Sequence, residues 1–152
     1  MLDPLDLKLL AALQEDSSQT AQALSERLAM SASQIGRRRQ RLEAEGYVTG
    51  YRAQLAPHRL GLAVEAFVQV VMATHTAENA RDFLRLTKTE PRIVGAWTLT
   101  GDADYLLRIF CSDLRALNTL VQDVLLPHPA VSRVQSRIVM ERVKSDAPLP
   151  LG

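Results

Sequence analysis

At Ala63 the spacing of apolar residues changes, and a chain that changes period there folds as two modules. Upstream, apolar side chains recur at helical spacing: Leu9, Leu10 and Leu13 with Leu2 or Leu5 behind them, then Ala21, Leu24 and Leu28, then Ile35 and Leu42. Downstream, Val64, Ala66, Val68, Val70 and Met72 alternate with Glu65, Phe67, Gln69 and Val71, the period of a strand rich in β-branched residues. A length of 152 residues suits one domain or two small ones. The change of period predicts a helical module over 1–53, a linker over 54–62 that holds Pro57 and Gly61, and an α+β module over 63–143. The remainder, 144–152 with Pro148 and Pro150, is expected to be a flexible tail.

In the first module Asp3 suits an N-cap, with Pro4 at the first helical position and Asp6 in the first turn of a helix reaching about Gln14. Asp16-Ser17-Ser18-Gln19 is turn-like, and Thr20 can cap a second helix that runs to Leu28. After the brief connection Ala29-Met30, Ser31 caps a third helix that stops at Gly46. Three short helices with a tight turn before the last describe a helix-turn-helix, whose third helix reads DNA while the second sets its N-terminus near a phosphate. Tyr47, Val48 and Tyr51, with Gly50 between, predict a small hairpin, the wing of a winged helix.

In the second module Thr76 can cap a helix over 77–89 that buries Ala80, Phe83, Leu84 and Thr87. Ile93 to Thr100 reads as a strand containing Trp97, and Gly101-Asp102-Ala103-Asp104 as the turn to a partner strand from Tyr105 to Cys111. Ser112 or Asp113 caps a helix carrying Leu114, Leu117, Leu120, Val121 and Val124, stopped by Pro127 and Pro129. Val131 to Val143 is the last strand. The order βαββαβ is the ferredoxin-like arrangement, a four-stranded antiparallel sheet with both helices on one face. The other face stays bare while its strands are apolar, which predicts a homo-oligomer packed sheet to sheet, with Trp97 at the sheet or subunit contact.

Charge is distributed unevenly. The net value is only +1, yet residues 31–60 hold six arginines against two glutamates, and residues 1–30 hold two basic side chains against five acidic ones. A local positive footprint matters to a polyanion more than the total does. On a wheel of about 100° per residue, Ser33, Gln34, Arg37 and Arg41 point away from the Ile35–Leu42 seam, with Arg38 at the border. A run of charge is often just a solvated face. Arginine, however, pairs bidentately with guanine or phosphate, and glutamine with adenine. The N-terminal part of such a helix lies deepest in the groove, so Ser33, Gln34 and Arg37 are assigned to base edges, and Ser31, Arg38, Arg41 and Arg52 to phosphates.

Signals for other chemistry are missing from the sequence. No apolar run approaches the roughly 18 residues of a membrane span, and Met1-Leu2-Asp3-Pro4 lacks the basic-then-apolar pattern of a secretory signal. The lone Cys111 reads as a small buried hydrophobe, with no disulfide or metal cluster, and suits a reducing cytoplasmic setting. His58, His75 and His128 are scattered, and neither a metal-binding histidine spacing, a phosphate-cradling glycine loop nor a G-x-S-x-G nucleophile is present. Neither cofactor nor catalysis is expected.

These residues together resemble the Lrp/AsnC, or feast/famine, family of transcription regulators. The likeness rests on the opening Asp3-Pro4-Leu5-Asp6-Leu7-Lys8-Leu9-Leu10 and on Leu28-Ala29-Met30-Ser31 with Arg38, Leu42, Glu43, Gly46 and Tyr51. It extends to Thr100-Gly101-Asp102-Ala103-Asp104-Tyr105-Leu106-Leu107 and to Val131-Ser132-Arg133 with Ser136 to Val143. The resemblance implies double-stranded, partly palindromic DNA as partner, dimers assembled into octamers or similar rings, and a small effector, usually an amino acid, held between subunits near the Gly-x-x-Asp turn. On that basis Thr100, Gly101, Asp102, Asp104 and Ser136 are the expected effector residues: turn N–H groups for a carboxylate, Asp102 or Asp104 for an ammonium, and Ser136 for a further hydrogen bond. The plainer alternative is a hairpin turn whose aspartates bond backbone. Two rivals share the resemblance: a sirohaem decarboxylase-like enzyme on the same fold, and an effector-binding oligomer without DNA binding.

Four departures from the family pattern carry expectations. Gly36 weakens a helix interior by roughly 0.5–1 kcal/mol relative to alanine. Arg39 stands at an apolar position and is expected to reach an acid such as Asp6. Ala29 replaces a turn glycine and so need not be left-handed, and Ser18 replaces a common arginine.

Overall fold

The computed structural model describes residues 1–73 and 76–151, so His75 lies outside the described residues. The chain forms two compact units, one of residues 1–54 with 143–152 and one of residues 55–142. The last residues, expected as a free tail, are thus part of the first unit. Leu149 explains the difference: its N–H donates to Gln14 Oε1 at 2.6 Å and its carbonyl accepts from Gln14 Nε2 at 3.3 Å. Leu149 and Leu151 line a groove with Leu10, Leu13, Tyr47 and Val48 of the same unit.

The first unit holds α1 (Pro4–Glu15), α2 (Ala21–Leu28) and α3 (Ala32–Ala44). Each starts at the expected cap. The Asp3 carboxylate accepts from Asp6 N and the Asp6 carboxylate accepts from Asp3 N, a reciprocal box. Thr20 accepts from Ala23 N, and Ser31 from Gln34 N. Leu9, Leu10, Ala12, Leu13, Leu24, Met30, Ile35 and Leu42 make the core. Ala29 corrects one expectation, because it adopts φ 54°, ψ 42° at the end of α2. The turn between α2 and α3 needs a left-handed residue whatever its side chain, and alanine takes it at a cost of about 1–2 kcal/mol.

No strand forms among the described residues of this unit, so the expected wing hairpin is corrected as well. The chain leaving α3 closes on the helix instead: Tyr47 N and Val48 N both donate to Leu42 O, at 2.9 and 3.2 Å. Gly46 takes φ 77°, which lets the backbone reverse there. Beyond it Tyr51 turns its hydroxyl to Glu43 on α3, so the segment is held by side chains where a ladder was expected.

The second unit opens with a 3₁₀ turn, Pro57–Leu60, followed by β1 (Val64–Met72), α4 (Ala77–Thr89), β2 (Ile93–Thr98), β3 (Tyr105–Cys111), α5 (Leu114–Thr119) and β4 (Val131–Ile138). The residues after α5, Leu120–Leu125, widen into a π-helical turn. The sheet is antiparallel in the order β2–β3–β1–β4, the ferredoxin-like topology that the sequence predicts. Ala66, Val68, Val70 and Met72 of β1 pack with Tyr105, Leu107, Ile109 and Cys111 of β3, beneath Phe83, Leu117, Leu120 and Leu125.

Leu84 and Leu114 were expected in this core but are 39% and 59% exposed. Leu86 packs there instead, three positions on from Phe83 and so on its face, and Leu125 joins the core from the π turn. The outer strands are shorter than predicted: β2 ends at Thr98 and β4 at Ile138. Val139 still donates to Glu65 O, but β1 starts at Val64 and offers nothing for later residues to pair with.

The opposite sheet face carries Phe67, Gln69 and Val71 of β1, Leu106 and Arg108 of β3, and Arg133, Gln135 and Arg137 of β4, as the register requires. Trp97, 48% exposed, lies on this face over Gly95, where a Cβ would come 2.6 Å from the indole. Glycine at that position lets the ring lie along the strand.

Candidate nucleic-acid interface and effector turn

The recognition helix is seated by Ile35 and Leu42, both fully buried, so its remaining faces are fixed by geometry. Its first turn is a capping box. Ser31 Oγ accepts from Gln34 N, Gln34 Oε1 accepts from Ser31 N at 3.0 Å, and Ser31 and Ser33 hydroxyls lie 3.1 Å apart. That arrangement revises the role expected of Gln34. A bidentate pair with adenine needs its carbonyl and its amide together, and the carbonyl is already committed to the cap. Ser31 is likewise engaged as the cap, with its hydroxyl still exposed.

The four arginines of α3 have separate fates. Arg37 is exposed and makes no hydrogen bond or ion pair with any described residue. Arg38 donates from one terminal nitrogen to Asp3 at 2.6 Å and to Asp6 at 2.7 Å. Arg41, also on Asp6, meets the second carboxylate oxygen. Both arginines expected at phosphates thus hold an acid beside α1, while Arg41 keeps 43% and Arg38 23% of the side chain exposed.

Arg39, expected to seek Asp6, instead donates to Glu43 at 3.2 Å and to the Tyr51 hydroxyl at 3.0 Å, with its guanidinium 4.7 Å from the Tyr51 ring centre. It keeps the expected structural role with a different acid. Arg52, just past Tyr51, is exposed and has no partner among the described residues.

Asp6 is the electrostatic centre of this cluster. Its side chain is inaccessible to solvent. Burial pushes its pKa up, but the Asp3 N–H and the two guanidiniums outweigh that and bring it down to about 2. Gln40, unmentioned by the sequence reading, is exposed on the same side as Ser33 and Arg37. Its place three residues after Arg37 and seven after Ser33 was the signal that could have found it.

In the second unit the effector candidates divide. Thr100 and Asp102 line a polar pocket on the bare sheet face, together with Gln69, Arg133, Gln135 and Arg137. Gly101 takes φ 105°, a conformation that calls for glycine. Asp104 turns away and accepts from Met72 N at 2.7 Å, while its own N–H donates to Val70 O. The plainer alternative thus describes Asp104, though the backbone it holds belongs to β1. Ser136 pairs with Val68, whose side chain is in the core, so it lies on the other sheet face from Gln135 and Arg137 and does not join the pocket. Arg133 and Arg137 were missed as pocket residues, yet the alternation along the last strand puts both on one face. The pocket has two guanidiniums and one carboxylate, a charge set complementary to an α-amino acid. His58 lies on the 3₁₀ turn, and His128 accepts from Ala130 N with its ring edge-on to Phe83.

Comparisons with known proteins agree with this geometry. Residues 65–149 match the Lrp/AsnC ligand binding domain, and residues 2–49 match a winged helix-turn-helix DNA-binding domain. The chain is 33% identical over 151 residues to the DNA-binding transcriptional activator DecR of Escherichia coli, covering 99% of each protein. It is also 33% identical to the Bkd operon transcriptional regulator of Pseudomonas aeruginosa, covering 99% of this chain and 98% of that one. Among solved structures, a transcriptional regulator of Neisseria meningitidis in complex with L-methionine superposes with a TM-score of 0.95 at 37% identity, over 99% of this chain and 97% of the other. An AsnC family regulator of Agrobacterium tumefaciens superposes at 0.90 with 30% identity, over 98% and 97%. The chain belongs to the Lrp/AsnC family of transcriptional regulators.

Proposed function

We propose that this regulator reads the major groove with α3, using Arg37 and Ser33 at base edges, the Gln34 amide as a donor, and Ser31 and Arg52 at phosphates. The observation that carries the reading is the seated helix itself: an apolar seam locked in the core, a capped N-terminus, and an opposite face that ends in one unengaged arginine. The effector is an amino acid, taken in the pocket of Thr100, Asp102, Arg133 and Arg137 beside the turn that Gly101 and Asp104 shape. Support comes from the charge set of that pocket and from the L-methionine complex of the Neisseria relative. Sheet-to-sheet contact between copies, through the face that bears Phe67 and Trp97, would build the dimer, and dimers a ring. A dimer presents two helices to two half-sites about one DNA turn apart. Effector binding then alters DNA affinity through that spacing, by a coupling of about 1–3 kcal/mol.

The test pairs a duplex selected from a random pool with a mixed-sequence duplex. Arg37→Ala is expected to lose about 1–3 kcal/mol of discrimination between them; equal losses on both reject the assignment. Calorimetry with the common amino acids, L-methionine first, checks the effector: absence of heat with all of them removes the amino-acid reading. Unchanged affinity for the selected duplex at saturating effector rejects the coupling.

A further inference from the structure

We infer that Asp6 is a positioning residue that withholds Arg38 and Arg41 from DNA phosphates, so that α3 meets the duplex with its charge restricted to Arg37. The inference rests on the DNA-binding reading above and deepens it. An arginine-rich helix bound to a polyanion gains affinity from every free guanidinium, and that gain is the same for every sequence. Specificity is a ratio, and it improves when the sequence-blind share is reduced.

The geometry supplies the means. Asp6 sits in the first turn of α1 with its carboxylate wholly buried, and each of its two oxygens receives one arginine of α3. Asp3 adds a second acceptor for Arg38. On the helix wheel Arg41 lies about 40° from Arg37, and Arg38 about 100° from it. Released, Arg41 would face the same side as Arg37, and Arg38 would stand at the edge of that face, where a flanking phosphate lies. A buried carboxylate with paired guanidiniums is not needed for stability as such, since a well-packed apolar set often serves as well. Its place beneath the recognition helix gives it a second consequence, which is control of how much positive charge that helix shows.

The experiment measures binding of the full chain to a mixed-sequence duplex and to a selected duplex across a range of KCl concentrations. Asp6→Asn keeps the shape but removes the charge. It is expected to steepen the log–log salt dependence on mixed-sequence DNA by about one to two per DNA-binding unit, each new phosphate contact adding about 0.9. It should also raise mixed-sequence affinity about tenfold at low salt and lower the ratio of selected to mixed binding. Arg38→Gln and Arg41→Gln in the parent should leave the slope unchanged, because those charges are already withheld. Combining them with Asp6→Asn should return the slope to the parent value, a rescue that a purely structural role would not produce.

A cooperatively folded Asp6→Asn with the parent's slope overturns the inference. So does a drop of about one in slope for either single arginine variant, which would show that arginine on a phosphate despite Asp6. If Asp6→Asn does not fold, the two arginine variants decide by themselves. A parent that responds to Arg37→Ala while these slopes stay fixed refutes only the role of Asp6. A parent that binds no duplex at low salt removes the DNA reading and this inference with it.

Discussion

The two units bury different chemistry. The helical unit has a small apolar core with one carboxylate sunk beside it, Asp6, answered by Arg38 and Arg41. The sheet unit has a larger core in which, among the described residues, Thr87 is the buried polar one, and its hydroxyl donates locally to Leu84 O. Its charged groups stay at the rim, where Glu65 takes Arg108 and Arg142. A three-helix unit buries less apolar surface than a sheet unit with its helices, so each directional contact counts for more there. The shared ion cluster ties α1 to α3 in one register in addition to that packing. The sheet unit has its ladder for that purpose, and its core can be plain.

The sharpest break of this contrast is Asp6→Ala, which leaves Arg41 without its acid and Arg38 with Asp3 alone. We expect a loss of about 2–3 kcal/mol in the helical unit, the worth of charge-assisted hydrogen bonds to partly exposed guanidiniums, read by hydrogen exchange of α1 and α3 amides, with the β1 and β3 amides unmoved. Similar losses in both units would erase the distinction.

Acid is the next probe. Asp6 has a folded pKa of about 2 against an ordinary 3.8. A depressed carboxyl stabilises above its unfolded pKa, so this contribution is complete above about pH 4 and is lost as pH falls toward 2; it amounts to about 2 kcal/mol. Helical-unit exchange should accelerate over that window in the parent. In Asp6→Asn that component should vanish, and an unchanged acid profile would show the stabilisation lies elsewhere.

Smaller effects separate backbone from side chain. Ala29→Gly should stabilise the helical unit by about 1 kcal/mol, since the left-handed turn then carries no Cβ penalty; a lower melting temperature would contradict the turn geometry. Gly95→Ala in the sheet unit should change stability by less than about 1 kcal/mol, because the indole of Trp97 can swing outward. Its signature is instead a red shift of Trp97 fluorescence, and an unmoved spectrum would mean that the ring does not lie over Gly95.

Where the sequence was legible, a side chain and its own backbone settled the matter. Asp3, Thr20, Ser31 and Asp113 cap the helices they were expected to cap, because capping is decided within four residues. The alternation of Val64 to Met72 predicted which side of β1 is buried, and the order of strands and helices predicted the topology. What escaped was long-range partnering. Which arginine meets Asp6 depends on how α1 crosses α3, and one position along a helix turns a side chain through about 100°. Periodicity alone could not pass Arg39 over in favour of Arg38 and Arg41. The strand pairing expected of the wing is missing for a related reason, since the Tyr51 hydroxyl is taken by Glu43 and Arg39 on α3. At the turn, Thr100 and Asp102 were legible by motif. Ser136 was not, because a single step along β4 exchanges the two faces of the sheet.

The clasp between Gln14 and Leu149 has a practical outcome for anyone handling the protein. A protease cuts only chain that has come loose, so the backbone around Leu149 is protected while its two exposed hydrogen bonds to Gln14 hold. The rate of cutting there is therefore a clock for release of that segment from α1, and chain that follows Leu151 starts its course beside that helix.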